Sequence, residues 1–123
     1  MEELRIKDYM SMKEIFACLI SVYKSEGMQG FYHKKQDWCI YVNNDPVTAD
    51  TQVYVDEYPY YDDDDNEILS DYIVGNDMYM LYRDEMVEDV VASCIDQKEN
   101  ASFEEIMEAL IYYDKNDNFM NLA

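Results

Sequence analysis

The sequence predicts a single α+β domain in which about three to four helices pack on a small, three-stranded, mostly antiparallel sheet. The 123 residues are the length of one domain, and a hydrophobic content of 49% is enough to fill one core. Segments with helical apolar spacing occur together with β-branched and aromatic runs, a mixture typical of helices packed on a sheet. The predicted element order is α-β-β-(α)-β-α-α, and no repeat or Pro-rich linker divides residues 1–123 into two domains.

The first helix is predicted from a start signal and an apolar stripe. Ser11-Met12-Lys13-Glu14 has the form of a capping box, and apolar residues then recur at helical spacing from Ile15 to Tyr23. We therefore expect a helix over about Met12 to Ser25, ended by Gly27 and Gly30.

Three strands are predicted in the middle of the chain. Asp37 to Asn43 and Thr51 to Asp56 are β-branched and aromatic runs separated by a turn sequence that contains Pro46. Between them and a third strand, Met78 to Tyr82, we expect an acidic loop leading into about two turns of helix around residues 68–73.

Two helices are predicted to close the chain. Asp84 is the predicted N-cap of the first, whose apolar stripe runs from Met86 to Ile95. A second capping box, Ser102 to Glu105, opens the other helix, which is expected to end before Asp114.

Charge and cysteine content limit the partners and the compartment. The 28 Asp and Glu against 9 Lys and Arg give a net charge of −19, which excludes nucleic acids and anionic membranes as direct ligands. The N-terminus is acidic and lacks a long apolar run, so no signal peptide or membrane span is predicted. Cys18, Cys39 and Cys94 each lie in an apolar segment, which favours buried, reduced thiols in a cytoplasmic protein.

Sequence motifs for catalysis or cofactor binding are not found. His33 is the only histidine and lies in a polar turn, and the cysteines lack the spacing of a zinc site. Calcium is the stronger chemical alternative because residues 62–67 are rich in carboxylates, but an EF-hand that begins at Asp62 places Glu67 at the glycine position. We therefore expect no cofactor, no metal site, no catalytic residues and no enzyme activity.

The acidic residues and tyrosines are concentrated in one block, from Gln36 to Tyr82. It holds 12 Asp and Glu, no Lys or Arg, and eight of the thirteen tyrosines. Carboxylates speed association with a basic protein, and tyrosines are common binding hot spots, although Tyr54 and Tyr79 are also candidates for the core. The candidate partner-binding residues are Asp56, Glu57, Tyr58, Tyr60, Tyr61, Asp62, Asp63, Asp64, Asp65 and Glu67.

Several segments between Ser11 and Met120 carry a family resemblance. They are Met12-Lys13-Glu14-Ile15, the Trp38-containing strand, Thr48-Ala49-Asp50-Thr51, Asp62 to Glu67, Glu108 to Asp114 and Asn116 to Phe119. In these segments the chain resembles small acidic bacterial immunity-type proteins, which occur beside polymorphic or contact-dependent growth-inhibition toxins. The resemblance implies a cytosolic antidote that binds a cognate toxin, and it implies no particular functional residues.

Two other functions are consistent with the same residues. One is a phage-encoded mimic of nucleic acid that inhibits host defence nucleases, because such enzymes present a positive cleft to an acidic surface. The other is an acidic calcium-binding protein that uses Asp62 to Glu67. The first hypothesis is a non-catalytic immunity protein that neutralises a basic toxin domain. That toxin could be a nuclease or could have another activity.

Overall fold

The computed structural model describes residues 3–122 and has an α+β architecture, as the sequence predicts. A four-stranded antiparallel sheet lies between a layer of helices and a smaller layer that contains a two-stranded hairpin. The elements in chain order are β1 (Asp8–Ser11), α1 (Met12–Glu26), α2 (Met28–Tyr32), β2 (Cys39–Val42), β3 (Gln52–Asp56), β4 (Tyr60–Tyr61), β5 (Glu67–Ile68), α3 (Asp71–Gly75), β6 (Tyr79–Arg83), α4 (Asp84–Gln97) and α5 (Phe103–Asn116).

The strand order of the sheet is β1-β3-β2-β6, and every neighbouring pair is antiparallel. In the β2–β6 pair, Ile40 faces Tyr82 and Tyr41 faces Met80, which leaves Leu81 as an extra residue on β6. This bulge interrupts the regular ladder of an edge strand, a feature that discourages pairing with a further strand.

The main core lies between the sheet and helices α1, α4 and α5. Side chains alternate across a strand, so Ile40 and Val55 point into this core. Phe16, Trp38 and Leu110 pack with them and are almost completely buried. Burial of these large side chains supplies the dominant favourable contribution to folding.

The opposite face of the sheet is covered by residues 57–78, which connect β3 to β6. We call this segment, which contains β4, β5 and α3, the acidic cover. Its Ile73 is 1% exposed and packs with Cys39, Tyr41 and Tyr54 of the sheet. A second small core therefore holds the acidic cover in place.

The predicted capping boxes are confirmed at both helices. Ser11 accepts a hydrogen bond from the backbone N–H of Glu14, and Ser102 accepts one from that of Glu105. In each case the glutamate accepts a hydrogen bond from the N-cap backbone in return. The helix α1 begins at Met12 as predicted and ends at Glu26.

Gly30 does not end the first helix, contrary to the sequence prediction. It lies in α2, a helix that the sequence pattern does not predict, and a Cβ atom at this position would lie 2.5 Å from Cγ1 of Val22. The absence of a side chain lets α2 pack directly on α1. Gly27 has a φ of 65° and does separate the two helices, as its conformational freedom allows.

Several other predictions about the elements are wrong in detail. The sheet has four strands instead of three because β1 was not predicted, and the acidic loop contains β4 and β5. The α3 helix is a single short turn of five residues. Arg83, and not Asp84, is the N-cap of α4, and Asp84 is completely buried. Tyr79 is 41% exposed and does not fill the core, whereas Tyr54 is buried.

All three cysteines lie in the interior of the protein. Cys18, Cys39 and Cys94 are buried and form no disulfide with one another, as predicted. Within residues 3–122, no helix has both the length and the apolar character required to cross a membrane.

Candidate partner-binding surface

The β4–β5 hairpin presents the most acidic part of the chain. Tyr60 pairs with Ile68 and Tyr61 with Glu67, so residues 62–66 form the connecting loop. Tyr60 and Tyr61 are 66% and 57% exposed. The hairpin therefore carries two tyrosine rings directly beside a cluster of carboxylates.

Asp62 builds the loop of this hairpin. Its Oδ1 accepts hydrogen bonds from the backbone N–H groups of Asp64 and Asn66, both at 2.9 Å. The hydrogen bond from the Asn66 backbone is the main reason that the pKa of Asp62 lies below its usual value. Asp65 takes the left-handed conformation with a φ of 62°. Asp62 is thus a turn residue, and the exposed carboxylates of Asp63, Asp64 and Asp65 are the ones directed to solvent.

Asp56 does not lie on the surface, so its predicted role as a contact residue is wrong. It ends β3, is 3% exposed and accepts a hydrogen bond from the Ser70 hydroxyl at 3.2 Å. Ser70 is the N-cap of α3. Asp56 therefore ties the start of α3 to the sheet. β-Strand alternation could not reveal this because the helices bury one face of the sheet and the acidic cover buries the other.

Tyr58 is half-buried and attaches the acidic cover to the helical layer. Its hydroxyl donates to Oδ1 of Asp84, and the guanidinium of Arg83 lies 5.3 Å from the centre of its ring. Burial, followed by the bond to Asp84, raises the pKa of Tyr58 well above its ordinary value. This side chain has a structural role and offers a partner less contact area than Tyr60 or Tyr61.

Glu57 is half-buried and positions the Tyr60 ring. Its carboxylate accepts hydrogen bonds from the hydroxyl of Tyr60 at 2.8 Å and from Nε2 of Gln36 at 3.0 Å. The hydrogen bond from Tyr60 is the main cause of the lowered pKa of Glu57. The negative charge of Glu57 is therefore kept at neutral pH beside the exposed ring.

The acidic cover has no neutralising charges of its own. It contains eight Asp and Glu and no Lys or Arg. The ion pairs found within residues 3–122 use carboxylates elsewhere, namely Asp8, Glu14, Asp50, Asp84, Glu88 and Glu105. Uncompensated charge of one sign on a compact surface produces the field that steers an oppositely charged partner.

A second group of exposed tyrosines was not predicted as a site. Tyr9 of β1 lies against Tyr72 of α3, which is part of the acidic cover, and their hydroxyl oxygens are 2.6 Å apart. Both rings contact Tyr54 of β3. We call these three residues the tyrosine patch. Sequence patterns gave no sign of it because Tyr9 and Tyr72 are 63 positions apart.

Asp84, which accepts the hydrogen bond from Tyr58, belongs to a buried charge cluster with Lys34 and Glu88. Lys34 Nζ is 2.9 Å from Oδ2 of Asp84 and 2.9 Å from both carboxylate oxygens of Glu88. Burial raises the pKa of Glu88 to about 7 despite the lysine. The cluster lies between a polar cleft of about 410 Å³ and a more apolar groove of about 430 Å³, which both include Lys34 and Glu88 in their walls.

The described residues contain no arrangement of three His, Cys, Asp or Glu groups suited to hold a metal ion. In the hairpin loop, the Asp62 carboxylate is engaged by Asp64 and Asn66. The hairpin surface consists of exposed tyrosine rings and carboxylates, which are groups able to contact another macromolecule.

Comparison with known proteins places the chain in a family. A family model described as "Domain of unknown function (DUF7716)" matches residues 29–122. The chain belongs to this DUF7716 family. The match includes β2 through α5, and therefore the whole acidic cover, whereas Tyr9 lies before it. No curated protein and no solved structure matches the sequence.

Proposed function

We propose that this DUF7716 protein is a non-catalytic binding protein which neutralises a basic protein partner, a bacterial toxin domain, in the manner of an immunity protein. The observation that carries the proposal is the composition of the acidic cover. Its 22 residues hold eight carboxylates without a basic residue, and five of the ten large hydrophobic side chains exposed within residues 3–122. These five are Tyr60, Tyr61, Ile68, Tyr72 and Val74.

The two kinds of side chain have different tasks in binding. The carboxylates of Asp63, Asp64 and Asp65 attract a basic protein over a distance and raise the association rate. The rings of Tyr60 and Tyr61 then bury amphipathic area at small entropic cost, which slows dissociation. Such a surface also repels nucleic acids, so a nuclease covered by it loses access to its substrate.

The toxin-neutralising role is supported by the resemblance to immunity-type proteins in segments such as Asp62 to Glu67 and Glu108 to Asp114. A toxin domain that cleaves or binds nucleic acid needs a positive cleft, and that cleft is complementary to the acidic cover. The proposed action is steric and electrostatic occlusion, which requires no catalytic residue on this chain.

Co-expression with a neighbouring toxin gene tests the proposal. The toxin-like reading frame adjacent to the gene is expressed alone and with this protein, and growth is measured. We expect growth to be restored and the two proteins to co-purify. If no adjacent frame is toxic, or if a toxic one is not neutralised, the proposed function is wrong.

Charge-matched variants test the use of the acidic cover. Asp63→Asn, Asp64→Asn and Asp65→Asn together should slow association with the toxin by about tenfold at low salt and reduce its salt dependence. Asp62 is retained because it builds the loop. The control carries Glu99→Gln, Glu108→Gln and Asp117→Asn on the helical side, which change the net charge equally and also include one aspartate at positive φ. Equal association rates for both triple variants would contradict a specific role for the cover.

The eight carboxylates of the acidic cover, none of which belongs to an ion pair within the described residues, also favour a second candidate, a mimic of nucleic acid that inhibits a defence nuclease. In that case the protein should compete with DNA for a host nuclease without an adjacent toxin gene. Calorimetric titration with calcium in millimolar magnesium separates calcium binding from both functions. Binding heat that is present in the wild type and lost in Asp63→Asn would favour a calcium site in the hairpin loop.

A further inference from the structure

The rings of the tyrosine patch are held by contacts with one another. The Tyr54 and Tyr72 rings stack with centroids 4.5 Å apart, and Tyr9 lies edge-on to Tyr54 at 5.2 Å. The hydrogen bond between the hydroxyls of Tyr9 and Tyr72 fixes both rings, and Tyr54 below them is only 6% exposed. Little side-chain entropy remains to be lost when another molecule packs against this patch.

The patch nevertheless remains open to solvent. Tyr9 is 39% and Tyr72 is 43% exposed, even though the two rings contact each other. Tyr60 and Tyr61, by comparison, stand on a hairpin of two-residue strands. A partner that needs a preorganised aromatic surface finds it at the tyrosine patch rather than on the hairpin.

The charges around the patch select a cationic group. Asp71 precedes Tyr72 on α3 and belongs to none of the ion pairs within the described residues. Asp8 precedes Tyr9 but is paired with Arg5 at 2.9 Å, and the Arg5 guanidinium also donates to the backbone oxygen of Tyr9 at 3.0 Å, so this pair adds no net negative charge beside Tyr9. The acidic cover supplies the remaining negative potential. A second copy of this chain, which also carries −19, would be repelled.

We propose that the exposed rings of Tyr9 and Tyr72 receive an arginine side chain of the basic partner, with its guanidinium plane lying against a tyrosine face. This inference rests on the proposed function and names the contact that anchors it. Arginine fits better than lysine because its guanidinium is planar, stacks on aromatic rings and is less strongly hydrated.

The inference is tested with two peptides of equal charge, nona-arginine and nona-lysine, titrated calorimetrically into the full chain. Wild-type protein should bind nona-arginine about three- to tenfold more tightly than nona-lysine. The Tyr9→Ala/Tyr72→Ala variant should lose this preference while its affinity for nona-lysine stays the same. The Tyr9→Phe/Tyr72→Phe variant should keep most of the preference because phenylalanine retains the ring face.

Two controls separate a local contact from a loss of structure. Tyr32→Ala changes a tyrosine on α2 that is 68% exposed and should leave both affinities unchanged. In wild-type protein with ¹³C-labelled tyrosine, nona-arginine should shift the ring resonances of Tyr9 and Tyr72, assigned from the single phenylalanine variants, more than nona-lysine does. This measurement holds even where the alanine variant is too unstable to use.

Equal affinity for the two peptides, a preference that survives in a folded alanine variant, or unmoved Tyr9 and Tyr72 resonances would each overturn the inference. The proposed function fails by a different result, the absence of protection by wild-type protein in the co-expression assay. Protection without a preference for arginine would refute the arginine contact alone.

Discussion

Asp84 and Glu88 are two buried carboxylates that share one lysine. Asp84 is completely buried, and it accepts hydrogen bonds from Tyr58, from Lys34 and from the backbone N–H of Trp38. Glu88 is 4% exposed and relies on Lys34 for compensation. A single cation cannot fully offset two buried charges, and burial makes Glu88 hold its proton more tightly, which raises its pKa.

Glu88 should make the protein less stable as pH rises. Its pKa is about 7 in the folded state against an ordinary value of 4.5, so the folded state binds the proton more tightly than the unfolded state. This contribution is fully present below pH 4.5 and is lost as pH rises through about 7. Urea unfolding at pH 5 and pH 8 should show a loss that is smaller by about 2 kcal/mol in Glu88→Gln than in wild type.

A matched variant guards this result against the general effect of charge repulsion. Glu108→Gln removes an exposed carboxylate from α5 and should keep the full pH dependence of the wild type. If Glu88→Gln and wild type lose the same free energy of unfolding between the two pH values, Glu88 is not the responsible group.

The helices and the hairpin depend on contacts of different range: the helix caps are local, whereas the hairpin also needs support from the rest of the acidic cover. The caps of α1 and α5 lie within three residues of the groups that they satisfy. The hairpin needs both a turn residue, Asp62, and support from the rest of the cover. A two-stranded hairpin on its own is marginal in water, so this support decides whether it forms.

Asp62 should be required for the shape of the hairpin rather than for its charge. Asp62→Ala removes the acceptor of the loop hydrogen bonds and should destabilise the hairpin by roughly 1 kcal/mol. Asp62→Asn keeps a side-chain oxygen and should retain most of the structure. Cross-strand nuclear Overhauser effects between Tyr61 and Glu67 report the difference. Equal spectra for the two variants would show that the loop does not depend on this acceptor.

Across the whole molecule, the protein combines a well-satisfied interior with an excess of surface charge. In the described part of the chain, every buried side-chain nitrogen and oxygen has a hydrogen-bond partner. The net charge of −19 opposes this favourable interior because the carboxylates repel one another in the compact state. The repulsion is screened by salt over about 10 Å at 0.1 M.

Salt should therefore stabilise the protein. The Tm should rise by several degrees between about 0.05 M and about 0.5 M NaCl as the screening length falls. The triple variant at Asp63, Asp64 and Asp65 should show a smaller rise than the control triple variant at Glu99, Glu108 and Asp117, because its three charges are adjacent in the chain. A Tm that is constant or falls with salt would contradict this account.

Local signals predicted much of the fold, and long-range contacts account for what was missed. The start of α1, both capping boxes and the β2 and β3 strands follow from neighbouring residues. β1 has only four residues, and its pairing with β3 makes it a strand. The burial of Asp84 likewise depends on Lys34, which is 50 positions away, and no pattern within either segment indicates that contact.

The candidate site was predicted in part for the same reason. The exposure of Tyr60, Tyr61 and the acidic loop agrees with the concentration of acids and tyrosines in the sequence. Composition could not separate Asp63, which faces solvent, from Asp56, which bonds to Ser70 beneath the cover. Composition also could not predict the contact between Tyr9 and Tyr72, which are 63 positions apart.

The acidic cover is one uninterrupted stretch of chain inserted between two strands, and this has a consequence for how such proteins diversify. The side chains that attach it to the rest of the molecule include Tyr58, Ser70, Tyr72 and Ile73. Residues 62–66, the hairpin loop, are exposed and belong to neither core, so substitutions there remove no core contact. Under the proposed function, the residues of this loop could change to suit a different partner while the helices and the main core stay the same.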